Sequence, residues 1–308
     1  MKKMIVVMML LLVCGLIIFG KQYAAKENEV NEQGPKQADQ PQSQSQSQSQ
    51  SQSGPKQTVL TLDKDDIYKG DLLLVNAQHS VPKGYKVSDV INLFEHQDLL
   101  NGFGILDNTV ELPMDMLNRF DEMIGAAEKD GVSHFLINSG YRDKAKQAEL
   151  YDKLGSDQAN PPGYSEHNLG LSMDIGSTLG AMKSSPEGEW LKKNAWKHGF
   201  VVRYPEDKTD ITGIMYEPWH FRYVGLPHSA IMNEYDFVLE EYLAYLKEQS
   251  SIHAEVAGKM YTISYYPIKG KLELVVPSDG SYTISGDNRD GVIVTTWEDD
   301  SSSKKVAG

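Results

Sequence analysis

The chain has 308 residues, room for one large domain or a medium domain with additions. Its 30 basic and 43 acidic residues give a net charge of -13; with no basic stripe or zinc-finger spacing, that balance argues against nucleic acid as a partner. The one cysteine, Cys14, lies inside the first apolar run, so the folded part has no internal disulfide and no thiolate metal ligand, and any metal must be held by His, Asp or Glu.

Met1-Lys2-Lys3 precedes an uncharged apolar run from Met4 to Gly20, closed by Lys21. This is the layout of an export signal whose positive start stays in the cytoplasm. Three readings stay open. An uncleaved anchor over residues 1–21 is favoured, because the run is long for a signal peptide. A cleaved signal is the second, although Tyr23 makes a poor site of Ala24-Ala25, and lipidation at Cys14 is the third, although Val13 before it is bulky. All three put the rest of the chain outside the cytoplasm. Residues 22–57 are polar and centre on alternating Gln and Ser from Ser43 to Ser53; such a segment cannot bury enough apolar surface to fold, and a disordered tether is expected.

Residues 58–250 carry the signals of one domain. From Pro113 to Lys129, Met116, Leu117, Phe120, Met123, Ile124 and Ala127 recur at helical spacing and Gly131 ends the pattern. His134 to Gly140 is a short apolar strand running into a glycine turn. Asp143 caps a helix that Gly155 closes, and Ser185-Pro186 opens another that stops at Gly199. Ser229 to Glu248 is one helix, or two broken near Asn233 to Asp236. Residues 251–303 change character: short β-branched and aromatic runs separated by Gly, Asp and Asn turns predict a small β appendage.

The chemistry gathers in two segments. In Gly170-Leu171-Ser172-Met173-Asp174-Ile175-Gly176 the apolar residues alternate, so a strand sends them to the core and Asp174 to the other face. His167 lies seven positions before Asp174, and downstream comes Glu217-Pro218-Trp219-His220. On a regular strand positions i and i+3 face opposite ways, so Glu217 and His220 converge only if Pro218 marks a bulge or a strand start. Taken singly, each of these side chains is more readily explained as structural. Together His167, Asp174 and His220 supply two imidazoles and a carboxylate, leaving one position of a tetrahedral zinc open for water, with Glu217 beside it as a base. A non-haem iron oxygenase also uses two histidines and a carboxylate, but needs no adjacent base. Arg142, before the helix cap, and Gln147, on its early turns, offer a helix N-terminus and a guanidinium to an anion. His79, His96, His134, His198, His228 and His253 fall in no ligand-like cluster, and Trp190 and Trp196 read as core.

Ser139-Gly140-Tyr141-Arg142 with Gln147, then Ser165-x-His167-x-x-Gly170-x-x-x-Asp174, then Glu217-x-Trp219-His220 followed by Arg222-Tyr223-Val224-Gly225, resembles the VanY-type zinc D,D-carboxypeptidases, a family related to hedgehog domains. The likeness runs from about Lys69 to Glu248, and the N-terminal anchor suits the membrane-bound vancomycin-resistance branch. It implies an α+β fold with a small central antiparallel sheet flanked by helices, to which the β appendage is added. It implies one zinc ion per chain on His167, Asp174 and His220, Glu217 as catalytic base, and Arg142, Gln147 and Ser165 as binders of the substrate's terminus or of the transition state. Trp219 is the expected pocket wall. The expected substrate is a peptidoglycan stem peptide ending in D-Ala-D-Ala, or in D-lactate, acted on by a monomer held at the membrane. The rival reading is a cell-wall binding module that keeps zinc without turnover, against which Glu217 counts.

Overall fold

A computed structural model describes residues 57–155 and 159–298. The expected anchor, most of the expected tether and the last residues of the appendage lie outside the described residues. Among the described residues no helix is long and apolar enough to cross a membrane.

Among the described residues thirteen strands follow in chain order: β1 (Gln57–Leu62), β2 (Val90–Asn92), β3 (Phe103–Ile105), β4 (Glu111–Pro113), β5 (Phe135–Ser139), β6 (Ser172–Ser177), β7 (Phe200–Tyr204), β8 (Glu217–Tyr223), β9 (Ser251–Val256), β10 (Lys259–Pro267), β11 (Leu272–Pro277), β12 (Tyr282–Gly286) and β13 (Gly291–Glu298). Asp174, Glu217, Trp219 and His220 ride on a five-stranded sheet of order β3-β5-β6-β8-β7. It is antiparallel except at one edge, where β3 runs parallel to β5. A parallel pair needs a crossover, and the helix Met114–Lys129 lies within it. The six apolar residues expected on that helix are its buried face. They meet Phe135, Ile137, Met173, Ile175 and Phe221 from the sheet in one core cluster, so the alternation read in β6 does fix which face is inside.

Helix ends follow the expected chemistry. Asp143 accepts from Lys146 N at the start of Lys144–Leu154, and Ser185 accepts from Gly188 N at the start of Pro186–Asn194. The C-terminal helical stretch is two helices, His228–Tyr235 and Leu239–Gln249, parted at Asp236, whose φ of 54° is left-handed.

The last strands form a four-stranded antiparallel sheet of order β12-β13-β10-β9. β1, placed by the sequence at the start of the larger domain, pairs antiparallel with β11, which gives β11 a partner outside that sheet. Leu62 and Ile67 then share a core cluster with Val276, Val292 and Val294. A second shared cluster joins Leu72, Leu74 and Val201 to Leu239, Tyr242 and Leu243 and to Tyr261, Ile263 and Ile293. Leu62, Ile67, Leu72 and Leu74 thus share their cores with the C-terminal strands, whereas Leu73 and Val75 pack with Val81 and Leu169.

Candidate metal centre and active site

Three local features bring the distant residues together. First, Ser165 caps a short 3-10 turn, Glu166–Leu169, accepting from His167 N, and Gly170 ends it at φ 69°; this turns the chain so that His167 and Asp174 approach the same place from opposite sides of the bend. Second, Asp174 and His220 are direct cross-strand partners between β6 and β8. Third, between the pairs Val202↔Phe221 and Tyr204↔Glu217, β7 advances two residues while β8 advances four. That irregularity, at Pro218 and Trp219, lets Glu217 and His220 meet on one side, as the proline suggested.

One ligand atom each from His167, Asp174 and His220 lies within 4.8 Å of the others. His167 Nε2 is 3.4 Å from Asp174 Oδ2, and His220 Nδ1 is 3.1 Å from Asp174 Oδ1. The far side of the His167 ring is committed: its Nδ1 is 2.6 Å from the Gly140 carbonyl oxygen, which fixes the tautomer so that Nε2 presents a lone pair inward. His167 Nε2 is buried with no hydrogen-bond partner. A lone pair aimed at a carboxylate oxygen is unfavourable unless a cation or proton stands between them, so this donor set fits a divalent ion.

Glu217 Oε2 is 3.7 Å from His220 Nδ1. Burial pushes this carboxyl up to about 7, with Asp174 adding to the rise and His220 and Arg142 opposing it. Burial pulls His167 down to about 4, Arg142 acting in the same sense. For His220 burial is outweighed by the Asp174 and Glu166 carboxylates, and the ring is raised to about 9.

Arg142 points its fork into the same cleft: Nε donates to Gln147 Oε1 at 3.1 Å, Nη1 to Ser139 Oγ at 3.0 Å, and Nη1 stands 3.6 Å from Asp174 Oδ2. Gln147 is fully buried and donates to the Asn160 carbonyl at 2.7 Å. Ser165, Gln147, Arg142 and Trp219 line one cleft of about 250 Å3 with the three ligand-type residues and Glu217. Trp219 is 38% exposed at its mouth. All eight side chains singled out in the sequence therefore converge. A larger cavity of about 630 Å3 lies against β7 and contains none of them; convergent chemistry, not volume, marks the site.

Sequence reasoning missed two residues here. Tyr204 lines the cleft with its ring centroid 4.8 Å from that of His220. Glu166, between Ser165 and His167, is buried against Arg203 and Arg222. The only signal for Glu166 was its place beside a ligand, which says nothing of its distant partners.

Two imidazoles and a carboxylate facing one point, with a second carboxyl poised near neutrality, are the constellation of a metal-dependent hydrolase. A D-alanyl-D-alanine carboxypeptidase family model, VanY, matches residues 109–226, a span holding all eight residues. A D-alanyl-D-alanine carboxypeptidase of Enterococcus faecium is 52% identical over 237 residues, 77% of this chain and 78% of that one. Another, from Enterococcus faecalis, is 35% identical over 61% of this chain and 72% of its own length. Among solved structures, the vancomycin-resistance D,D-dipeptidase VanXYg, in complex with a D-Ala-D-Ala phosphinate analogue, aligns with a TM-score of 0.69 and 31% identity, covering 79% of this chain and all of that one. The chain belongs to the VanY D-alanyl-D-alanine carboxypeptidase family.

Proposed function

We propose that the chain removes the C-terminal D-alanine from peptidoglycan stem peptides ending in D-Ala-D-Ala, with zinc held by His167 Nε2, Asp174 and His220 Nδ1. The observation that carries this reading is the cross-strand placement of Asp174 opposite His220, with His167 and Glu217 brought to the same point. Zinc there supplies Lewis acidity towards a carbonyl and lowers the pKa of water. Glu217, raised to about 7, is suited to take the proton of the attacking water and return it to the leaving amine. Arg142 places a guanidinium where negative charge develops or where the substrate's terminal carboxylate sits. Gln147 and Ser165 hold polar groups in the same cleft, and Trp219 walls its mouth. No serine nucleophile is required, so β-lactams are not expected to acylate the protein. Stem peptides lie outside the cytoplasm, which agrees with the export layout of the first 21 residues; a single membrane anchor there completes the reading.

The test is release of D-alanine from a synthetic pentapeptide by the purified chain, with and without chelator. Activity should vanish on zinc removal and return on zinc addition. Glu217→Ala should keep zinc and lose turnover, whereas His167→Ala should lose both. Full hydrolysis by the Glu217→Ala variant would remove the assigned base, and a depsipeptide ending in D-lactate in the same assay reports whether esters are also cleaved.

A further inference from the structure

Glu166 takes no part in the chemistry just described, yet its setting is costly. The carboxylate is wholly buried, and its Oε1 accepts from Arg203 Nε at 2.8 Å and from Arg222 Nη1 at 2.7 Å. Both guanidinium groups have other partners. Arg203 makes a bidentate pair with Glu240 at 2.8 and 2.7 Å, and Arg222 donates to the carbonyls of Asp71 and Leu73 at 2.7 and 3.0 Å. Oε2 of Glu166 is left over. It has no hydrogen-bond partner and lies 3.5 Å from His220 Nε2, which also has none. The opposite nitrogen of that ring, Nδ1, is the one that faces Asp174. A carboxylate behind a ligating imidazole decides which nitrogen keeps the proton, orients the ring and raises its basicity as a ligand.

We propose that Glu166 is the positioning residue of the metal centre: its Oε2 accepts the Nε2–H of His220, so that Nδ1 presents its lone pair to the ion, while Arg203 and Arg222 clamp the other oxygen. His167 is oriented by a neutral carbonyl, that of Gly140, and His220 by a charged carboxylate, so the two imidazoles are unequal donors. This inference rests on the zinc reading of the site.

The experiment measures zinc affinity of the full chain by competition with a chromophoric chelator. Glu166→Gln keeps the shape and an acceptor for the two arginines but cannot act as a carboxylate towards His220; it is expected to weaken zinc binding roughly 10–100-fold. Glu240→Gln loosens the same buried ion-pair network without touching His220, and should leave zinc affinity unchanged while lowering the unfolding midpoint. Equal zinc affinity in Glu166→Gln and the parent overturns the proposal, as does an equal loss in Glu240→Gln, which would mark a general loosening. If Glu166→Gln does not fold, 15N NMR of the zinc-loaded parent decides: Nε2–H with Nδ1 coordinated is expected for His220, and coordination through Nε2 refutes it. A parent that binds no zinc defeats the reading of the site itself. A parent that binds zinc and releases D-alanine beside an unaltered Glu166→Gln defeats only the role of Glu166.

Discussion

His228 shows what burial alone does to an imidazole. Its Nδ1 meets Tyr242 Oη at 2.8 Å and its Nε2 meets Thr295 Oγ1 at 3.2 Å, and desolvation with no compensating carboxylate drops it to about 3. The unfolded chain titrates this ring near 6.5, so below that pH the unfolded state takes up a proton that the folded state refuses. The stability is therefore fully present above about pH 6.5 and is lost as pH falls towards 3, at about 1.4 kcal/mol per pH unit. Urea unfolding at pH 7 and pH 5 should show the parent losing about 2 kcal/mol more than His228→Gln over that interval; equal losses would refute it. His220 is buried as deeply and moves the other way because the carboxylates of Asp174, Glu166 and Glu217 face it. Nothing in the sequence separates these two rings by burial. What was legible was the company of His220, a glutamate three positions away and a matching His and Asp upstream. Glu166 was not legible, because its partners Arg203 and Arg222 stand 37 and 56 residues away, and a lone acid in sequence carries no mark of being buried.

Elements were legible where local chemistry decides them. The caps at Asp143 and Ser185 and the apolar face of Met114–Lys129 could be read directly, and Pro218 announced the irregularity in β8. The break near Asp236 was readable as an alternative only, since whether a chain bends there depends on what each half packs against. The parallel edge strand β3 left no trace, because three residues show no periodicity. Gly170 ties this scale to the site. At φ 69° it occupies a conformation that side chains resist, and a Cβ would stand 2.8 Å from Pro113 Cγ and from Val87 Cγ1. Gly170→Ala should therefore cost about 1–3 kcal/mol and, by shifting the turn that sets His167 against Asp174, should also weaken zinc binding. Denaturant midpoints and chelator competition measure the two effects, and an alanine variant unchanged in both would show that this turn is not what positions His167.

At the scale of the molecule, the pairing of β1 with β11 and the shared cores could not be read, because the chain gives no sign of which strand will accept which edge over more than two hundred residues. The physical reason is visible in Leu72, Leu73, Leu74 and Val75, all essentially buried in a stretch with no regular secondary structure. Leu72 N donates to Ser285 Oγ at 2.8 Å, Leu74 N to the Asp287 carbonyl at 3.3 Å, and the carbonyls of Asp71 and Leu73 accept from Arg222 on β8. This stretch is thus held on one side by the strand that carries Glu217 and His220 and on the other by the C-terminal strands.

In deuterated water, the amides of Leu72 and Leu74 should accordingly be among the last to exchange, keeping pace with those in the middle of β6 and β8, although they belong to what a ribbon drawing would show as a loop. Rapid deuteration there, with the sheet still protected, would mean that the two sides open independently.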